Sequence, residues 1–339
     1  MIIINIIYNL GAIMNQIISP YNQIPRDNQL PRATNDLDVT TQGLLNDALS
    51  EATKKAYATD WCIFQDFCLE YQYNALPASQ ETIIAFLTNQ ATENKALQTI
   101  RRRLAAIKFV HNIKGFALNI TDKMITLMLK GIARQKKGVI SKQKKPISAD
   151  LLMQMLGQCD TEALIGKRDK ALLLFGFAGA FRRSELCNLT LDDLEETQDG
   201  LKVHLRSSKG DQFGEGQVIA LPHGRKMGVI TALKEYLEMS NIHNGFIFRS
   251  VSKGGHSMGT HLTPLSVALI VKKYIKAVGY NPSDYAAHSM RSGFLTEAAE
   301  NGASLFKMLE VSRHKSADTL LGYIRTSNLF KDHAGDQFL

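Results

Sequence analysis

The chain has 339 residues, of which 45% are hydrophobic, so it is long enough for two domains of ordinary size and apolar enough to pack a core. This composition excludes a disordered or fibrous protein. Its 40 lysines and arginines exceed its 32 aspartates and glutamates, and the net charge of +8 favours a polyanionic partner, nucleic acid before an anionic membrane surface. Charge alone also fits a soluble protein that has no such partner.

Residues 1–43 predict a flexible arm ahead of the folded part of the chain. They are rich in Asn, Pro, Asp and Thr, which disfavour regular structure. The apolar run from Met1 to Pro20 lacks a basic start, is interrupted by asparagines and is too short to span a bilayer. We therefore expect neither a signal peptide nor a membrane partner, and Met14 is an alternative start of the protein.

Residues 44–135 predict a compact, all-helical domain. Ser50 is a plausible N-cap, and the residues after it carry an apolar stripe at spacings of four, three and four. Three further stretches have helical periodicity, and none shows the alternation of a strand. These stretches are Gln80–Thr92, Leu97–Asn112 and Asp122–Gln135.

Positive charge is concentrated between Lys95 and Lys145, where fourteen basic residues stand against one acid, Asp122. Solvated helix faces normally mix both signs, so this surface predicts contact with nucleic-acid phosphates. Residues 136–147 lack an apolar period and predict a basic interdomain linker. The residues expected on the phosphate-binding surface are Arg101, Arg102, Arg103, Lys108, Lys136, Lys137, Lys144 and Lys145.

Residues 148–326 predict a mixed α+β, mostly helical domain with a small antiparallel sheet, which makes the whole chain mainly α. Ser148 caps its first helix, and the runs Leu201–Arg206 and Gln217–Leu221 are strand-like on either side of a glycine-rich turn. Residues 327–339 form a short tail. The remaining helices are predicted at Asp169–Ala178, from Ser184, and at Arg225–Met239, Pro264–Val278, Arg291–Glu300, Ser304–Arg313 and Asp318–Arg325.

Neither a metal nor a nucleotide cofactor is predicted. The four cysteines have no paired CxxC spacing, so free thiols in a reducing, intracellular compartment are expected. His256 and His261 lack the helical spacing of a zinc site and are predicted in a loop, Ser250–Thr260, that is a modest candidate for DNA contact. The glycine-rich segment GDQFGEGQ lacks the Gly-Lys-Ser/Thr of a phosphate-binding loop.

Several polar residues of the second domain together supply what metal-free cleavage of a phosphodiester needs. Cations must balance charge on the non-bridging oxygens, and a planar guanidinium can hold two of them. A nucleophile must attack, and an acid must protonate the leaving oxygen. A tyrosine phenol, with an ordinary pKa of about 10, needs cations or an imidazole nearby to lose its proton. The candidates are Arg182, Lys209, His288, Arg291, His314 and Tyr323.

In their order and spacing these residues resemble the tyrosine recombinase family, which includes the phage integrases and the Cre and Xer recombinases. The family pattern is Arg-x-x-Glu/Asp, a hairpin Lys, His-x-x-Arg, a His or Trp, and a Tyr. The resemblance covers most of the second domain, and the basic helical first domain agrees with the family's core-binding domain. The matching residues here are Arg182 and Glu185, Lys209, His288 and Arg291, His314, and, nine residues later, Tyr323.

The resemblance implies a role for each matching residue. Tyr323 would attack the phosphate, and Lys209 would protonate the leaving oxygen. His288 would assist proton movement at the tyrosine, and His314 would bond a phosphate oxygen. Arg182 and Arg291 would clamp the phosphate, and Glu185 would orient the site.

The resemblance also implies substrate and assembly. Double-stranded DNA would be held between the two domains as in a clamp, and strands would be exchanged through a 3′-phosphotyrosine without metal, ATP or cofactor. Four protomers would assemble on paired sites, with the tail Thr326–Leu339 packed onto a neighbour. The expected location is the cytoplasm, on the nucleoid; accessory DNA-bending proteins are not identified.

Alternatives remain at two residues and for the activity. Arg183 adjoins Arg182, but the Arg-x-x-Glu spacing selects Arg182 and leaves Arg183 as a DNA-backbone or salt-bridge residue. Lys202 is the competitor of Lys209. A type IB topoisomerase would share the phosphotyrosine chemistry, whereas a DNA-binding regulator without activity would be expected to lack a catalytic residue.

Overall fold

Short polar side chains begin most of the helices at the N-terminal side of the chain. The computed structural model describes residues 49–136, 144–206, 216–224, 226–314 and 316–327. In it, the Ser50 hydroxyl accepts a hydrogen bond from the Thr53 amide. Ser79 and Asp122 cap the second and fourth helices in the same way. The four helices are α1 Glu51–Glu70, α2 Gln80–Thr92, α3 Leu97–Ile113 and α4 Lys123–Gln135.

The predicted apolar stripes of α1 to α3 form the core of this first unit. Phe64 of α1 and Phe86 of α2 are fully buried and meet edge to face, with ring centroids 5.1 Å apart. His111 of α3 is also fully buried, and its two ring nitrogens bond the Ile107 carbonyl at 2.8 Å and the Ala78 amide at 2.9 Å. Because Nε2 accepts the Ala78 N–H, this imidazole is neutral.

The second unit begins after residue 140 and is mostly helical. Its central helix is buried on nearly every side along its second half, as expected of a helix surrounded by others. The helices are α5 Ala149–Leu156, α6 Leu164–Ala178, α7 Arg183–Asn188, α8 Val229–Ser240, α9 Pro264–Ala277, α10 His288–Glu300, α11 Leu305–Ser312 and α12 Ala317–Ser327, with α6 at the centre.

A three-stranded antiparallel sheet lies between α7 and α8 in the chain, as β1 Leu194–Thr197, β2 Gly200–Leu205 and β3 Gln217–Pro222 in that spatial order. Val203 and Ile219 are paired and buried. Gly200 is required at the β1–β2 turn, because a Cβ there would lie 2.2 Å from the Leu221 carbonyl oxygen. The mainly α fold with a small antiparallel sheet is confirmed.

Several predicted element boundaries differ from the structure, and two of them have a clear local reason. The loop predicted over Ser250–Thr260 contains most of a two-stranded antiparallel ladder, β4 Arg249–Val251 and β5 Ser257–His261. These strands are short, and Gly254 and Gly255 in the turn and Gly259 in β5 obscure the strand pattern. The helix predicted from Arg225 begins only at Val229, because Gly228 has a left-handed backbone at φ 58°.

The segment that enters the second unit is fixed against α10. The Ile147 amide donates to the Ser289 carbonyl at 2.9 Å, and the Lys145 amide donates to the Asp284 carbonyl at 2.8 Å. Gly293 permits this approach, since a Cβ there would lie 1.8 Å from the Ile147 carbonyl oxygen. The last residues of the predicted linker are therefore ordered on the helix that begins at His288.

Within the described ranges, no helix is long and apolar enough to cross a membrane. No three His, Cys, Asp or Glu side chains of those ranges converge as metal ligands. The four cysteines are free thiols, and Cys68, Cys159 and Cys187 are buried.

Candidate active site

The predicted site residues come from four places in the second unit. Arg182 and Glu185 lie at the start of α7, and His288 and Arg291 occupy the first turn of α10. His314 follows the end of α11, and Tyr323 lies on α12. Helix α10 packs against α6, α11 and α12, which brings these segments together. Lys209, in contrast, lies outside the described residues.

Glu185 holds Arg182 by two hydrogen bonds. Its Oε1 accepts from Arg182 Nη1 at 2.6 Å, and its Oε2 accepts from the Arg182 backbone amide at 2.8 Å. The second bond is that of an acidic residue at the third position of a helix, reaching back to the N-cap. Glu185 is buried, while the Arg182 side chain keeps 24% of its surface exposed. The Arg-x-x-Glu spacing therefore positions one partly exposed guanidinium.

Arg313 is a third arginine of this cluster, and sequence reasoning missed it. Its Nη2 donates to Glu185 Oε2 at 2.9 Å and to the Ala180 carbonyl at 2.8 Å, and its Nη1 donates to the Gly179 carbonyl at 3.0 Å. The sequence predicted Arg313 as the last residue of a helix, whereas its backbone is left-handed at φ 58°. Only its neighbouring position to His314 could have drawn attention to it.

Arg291 is buried, with 1% of its surface exposed. Its Nη1 donates to the Ala180 carbonyl at 2.7 Å, and its Nη2 donates to the Ser312 carbonyl. Its Nε has no protein partner within the described ranges. Burial, then the charges of Arg182 and Arg313, lowers the pKa of Arg291 to about 9, so it remains a cation at neutral pH.

The two histidines differ in how strongly the protein disfavours their charge. His314 packs its ring on Arg291, whose Nη2 lies 3.3 Å and 3.5 Å from the two ring nitrogens, and its Nδ1 bonds Ser312 Oγ at 2.9 Å. Burial, then Arg291 and Arg182, lowers the pKa of His314 to about 4. His288 keeps an exposed edge, and desolvation, then Arg291 and Arg182, lowers its pKa as well. Both imidazoles are therefore neutral at pH 7.

Tyr323 is half-buried on α12. Its ring packs on an apolar cluster that includes Leu295, Met308 and Leu320. Burial raises the pKa of the Tyr323 phenol, and the charge of Arg291 opposes that rise. The hydroxyl is thus protonated at neutral pH, and a cation lies close enough to stabilise the phenolate once the proton leaves.

The predicted site residues differ in how closely the structure connects them to one another. Hydrogen bonds and packing link Arg182, Glu185, Arg291 and His314 through Arg313, while His288 and Tyr323 are connected to them by electrostatics. Arg183 is exposed and lies outside this cluster. Lys202, the competitor of Lys209, lies on β2 and pairs with Glu195 at 2.8 Å.

One residue of the predicted basic surface is misplaced. Arg103 is buried and bonds Gln90, because it follows Ile100 by three residues and precedes Ile107 by four on the apolar face of α3. Arg102 is exposed but pairs with Asp60 through two bonds of 2.7 Å and 3.0 Å.

The remaining basic residues keep more contact with solvent, where the structure describes them. Arg101 is exposed, and Lys108 is half-buried. Lys136 bonds Asn94 at 3.0 Å, and Lys145 pairs with Asp284 at 3.0 Å. Lys144 donates to the Ser283 carbonyl. Lys137 lies outside the described residues.

Comparison with known proteins identifies relatives along most of the chain. Residues 145–328 match the phage integrase family. The integrase/recombinase xerD homolog of Selenomonas ruminantium is 38% identical over 303 residues, which cover 88% of each protein. Tyrosine recombinase XerD of Listeria monocytogenes is 26% identical over 292 residues, which cover 83% of this chain and 90% of that protein.

Two solved structures have the same fold. The pre-cleavage complex of the XerH site-specific recombinase with its difH substrate aligns with a TM-score of 0.62 at 17% identity, over 93% of this chain and 91% of that one. The Tn1549 transposon integrase with transposon right end DNA aligns with a TM-score of 0.60 at 15% identity, over 84% and 92%. Together with the family match over more than half of its length, these relatives show that the chain belongs to the phage integrase family and is a tyrosine-type site-specific recombinase.

Proposed function

We propose that this recombinase cleaves and rejoins double-stranded DNA through a covalent 3′-phosphotyrosyl intermediate at Tyr323, without metal or ATP. The observation that carries the proposal is the convergence of Arg182 and Arg291, from segments over a hundred residues apart, beside a half-buried tyrosine. The buried Glu185 carboxylate holds Arg182, and the Ala180 carbonyl accepts from Arg291 and from Arg313, which also pairs with Glu185. Cations held in place before the reaction stabilise the negative charge that develops on a phosphate under attack.

The proposed cleavage step balances without an added reagent. The Tyr323 oxygen bonds to phosphorus as the bond from phosphorus to the 5′-oxygen breaks. The phenol proton passes toward neutral His288, and we assign protonation of the 5′-oxygen to Lys209. Rejoining reverses the step: a 5′-hydroxyl attacks, and the bond from phosphorus to Tyr323 breaks. Because one phosphodiester replaces another, no ATP is required.

The two arginines have distinct parts in this proposal. Arg182 has the partly exposed guanidinium and is the first contact for a non-bridging oxygen. Arg291 contributes a buried positive charge, and its Nε–H is the donor left for a further partner. Neutral His314, which rests on Arg291, supplies a ring nitrogen for a second phosphate oxygen.

We also propose the substrate and the assembly. XerH is described with its difH substrate and the Tn1549 integrase with transposon DNA, which supports duplex DNA as the substrate here. Among the described residues, the candidates for backbone contacts that have a solvent-accessible surface are Arg101, Arg102, Lys108, Lys136, Lys144, Lys145 and Arg183. Strand exchange between two sites requires four protomers, and the cytoplasmic nucleoid is the corresponding location.

Trapping of the intermediate on nicked duplex DNA tests the proposal. A nick beside the cleaved phosphate releases a short fragment, so rejoining fails and the adduct accumulates. With EDTA present, we expect the wild type to form an adduct that survives denaturing electrophoresis and Tyr323→Phe to form none while still binding DNA. Tyr280→Phe, at an exposed tyrosine of the same unit, is the matched control and should react like the wild type. An adduct that persists in Tyr323→Phe would refute the assignment.

A further inference from the structure

We infer that Arg313 is a positioning residue that sets the geometry of both phosphate-binding arginines. The inference rests on the proposed function, because it concerns the same site. Arg313 is outside the residue pattern from which the site was predicted, and its side chain is 2% exposed. Its two Nη nitrogens already donate to Glu185 and to the Gly179, Ala180 and Val311 carbonyls, so any effect on cleavage must pass through these protein partners.

The backbone at Arg313 turns its side chain into the protein. Helix α11 ends there, with the Arg313 amide bonded to the Leu309 carbonyl at 2.7 Å and a left-handed φ of 58°. Such a backbone is unfavourable for a residue with a Cβ, and glycine is the usual choice at this position of a helix end. An arginine here is therefore explained by what its side chain does.

The first partner of Arg313 is Glu185, which holds Arg182. Glu185 Oε2 accepts from Arg313 Nη2 at 2.9 Å and from the Arg182 amide at 2.8 Å, while Oε1 accepts from Arg182 Nη1 at 2.6 Å. The Arg313 carbonyl also accepts from Arg182 Nη2 at 3.3 Å. The Arg182 guanidinium is thus fixed on one side by the Glu185 carboxylate and on the other by the Arg313 backbone.

The second link runs to Arg291 through a shared acceptor. The Ala180 carbonyl oxygen accepts from Arg313 Nη2 at 2.8 Å and from Arg291 Nη1 at 2.7 Å. Ala180 is fully buried and has a positive φ of 45°, and the next residue, Phe181, stacks its ring 5.3 Å from the Arg313 guanidinium carbon. Arg313 therefore fixes the turn whose carbonyl locates Arg291.

A purely structural role for Arg313 would carry a high electrostatic free-energy cost. The cluster holds Arg182, Arg291 and Arg313 against one carboxylate, so Arg313 adds a buried positive charge beside two others. Burial lowers the pKa of Arg313 to about 10, although Glu185 favours its charge. An apolar side chain would fill such a site at lower cost. What only an arginine supplies is several donors in a fixed plane, which here reach a carboxylate and three carbonyls together.

Two substitutions that retain a Cβ, and with it the backbone strain, separate geometry from charge. On nicked DNA at saturating protein, we expect Arg313→Met to slow single-turnover cleavage by about 100-fold, the effect of displacing reacting groups by about 1 Å, while the Kd for DNA changes less than about twofold. Arg313→Lys keeps the ion pair with Glu185 but cannot span the three carbonyls, so a smaller loss is expected. Rates are measured per folded molecule, by near-ultraviolet circular dichroism.

Arg168→Met is the matched control. Arg168 is likewise buried and paired with an acidic neighbour, Asp169, at 2.6 Å, but it belongs to α6 and touches none of the site residues named above. It should lower the stability of the fold and leave the cleavage rate of folded protein unchanged. Equal slowing in Arg168→Met and Arg313→Met would reduce Arg313 to a structural residue and overturn the inference.

A readout that does not depend on catalysis distinguishes this inference from the proposed function. The side-chain Nε–H signals of Arg182 and Arg291 in nuclear magnetic resonance should shift in Arg313→Met and stay in place in Arg168→Met. Unchanged signals, or wild-type cleavage by Arg313→Met, would overturn the positioning role. If these signals shift but the wild type forms no adduct at Tyr323, the proposed function fails and the positioning role stands.

Discussion

At the scale of single residues, three histidines in different environments show how burial determines whether an imidazole is charged. His111 is enclosed in the first unit and bonded as a neutral ring, and its pKa is lowered by burial. His314 has a pKa of about 4 because burial and two arginines disfavour its protonation. His288 is shifted in the same direction while keeping contact with solvent. All three are uncharged at pH 7, but only the last two are influenced by Arg182 and Arg291.

His111 should make the first unit sensitive to acid. The pKa of His111 is lower in the folded than in the unfolded protein. Its contribution to stability is therefore complete above the unfolded pKa of about 6.5. That contribution is lost as the pH falls from there toward the folded pKa, by at most about 1.4 kcal/mol per pH unit. The single tryptophan, Trp61, has its ring centroid 6.1 Å from that of His111, so its fluorescence follows unfolding of this unit. His111→Gln should flatten the pH dependence; equal slopes in both proteins would contradict the assignment.

Neighbouring arginines of α3 should separate DNA binding from stability. Arg101 is exposed, so Arg101→Ala should weaken DNA binding and reduce the slope of log K against log salt by about 0.9, the value for one phosphate contact. Arg103 is buried on Gln90, so Arg103→Met should change the unfolding midpoint and leave that slope unaltered. Binding titrations at several salt concentrations give the slope for both variants. A reduced slope in Arg103→Met with an unaltered slope in Arg101→Ala would refute this assignment of roles by burial.

Residue types indicated the candidate groups, because the cleavage chemistry calls for cations, an imidazole and a phenol, and their order along the chain matched the family pattern. Their roles in the reaction stay predictions. The burial of Arg103 could also have been predicted, since it follows the period of the apolar stripe. The role of Arg313 could not be predicted, because it depends on a left-handed backbone that no local sequence pattern indicates. The position of Lys209 stays a prediction.

At the scale of elements, helix α10 carries two site residues and also receives the entering chain. Its start at His288 rather than at the predicted Arg291 puts both on one turn, three residues apart and on the same face. The Ile147 backbone crosses this helix at Gly293. The position of α10 is therefore tied to the segment by which the chain enters the second unit.

Two helix-interior glycines provide a matched test of that contact. Gly293→Ala would place a Cβ 1.8 Å from the Ile147 carbonyl oxygen, so the segment or the helix must move, and we expect lower stability together with slower DNA cleavage. Gly131→Ala in α4 meets nothing within 4 Å and should stabilise by about 1 kcal/mol through helix propensity. Thermal unfolding measures the stability of both variants. A Gly293→Ala protein as stable as the wild type would contradict the close approach of the Ile147 carbonyl oxygen to this helix.

Elements with a strong period and a polar cap were predictable, and those determined by tertiary contacts were not. Ser50 and Ser148 mark helix starts in the sequence and accept the capping bonds in the structure. The ladder of β4 and β5 was missed because its strands are short and glycines lie in the turn between them and within β5.

For the whole molecule, chain length and composition predicted two units, and the concentration of positive charge distinguished the first of them. The contacts divide the chain at residue 140, close to the predicted basic linker. The order of the site residues along the second unit then indicated the family that the comparisons show. Long-range placement, such as Arg182 beside Arg313, follows from packing of whole helices, and neither the sequence pattern nor the resemblance predicted that contact.

The central claim is that Tyr323 becomes joined to a DNA 3′-phosphate, and peptide mapping of the trapped adduct tests it most directly. Tryptic cleavage after Lys315 and Arg325 isolates Tyr323 as the only tyrosine of its peptide, residues 316–325. With EDTA present, mass spectrometry should find a nucleotide attached to Tyr323 through its 3′-phosphate. A nucleotide on another residue, attachment through a 5′-phosphate, or an adduct that forms only with added Mg²⁺ would contradict it.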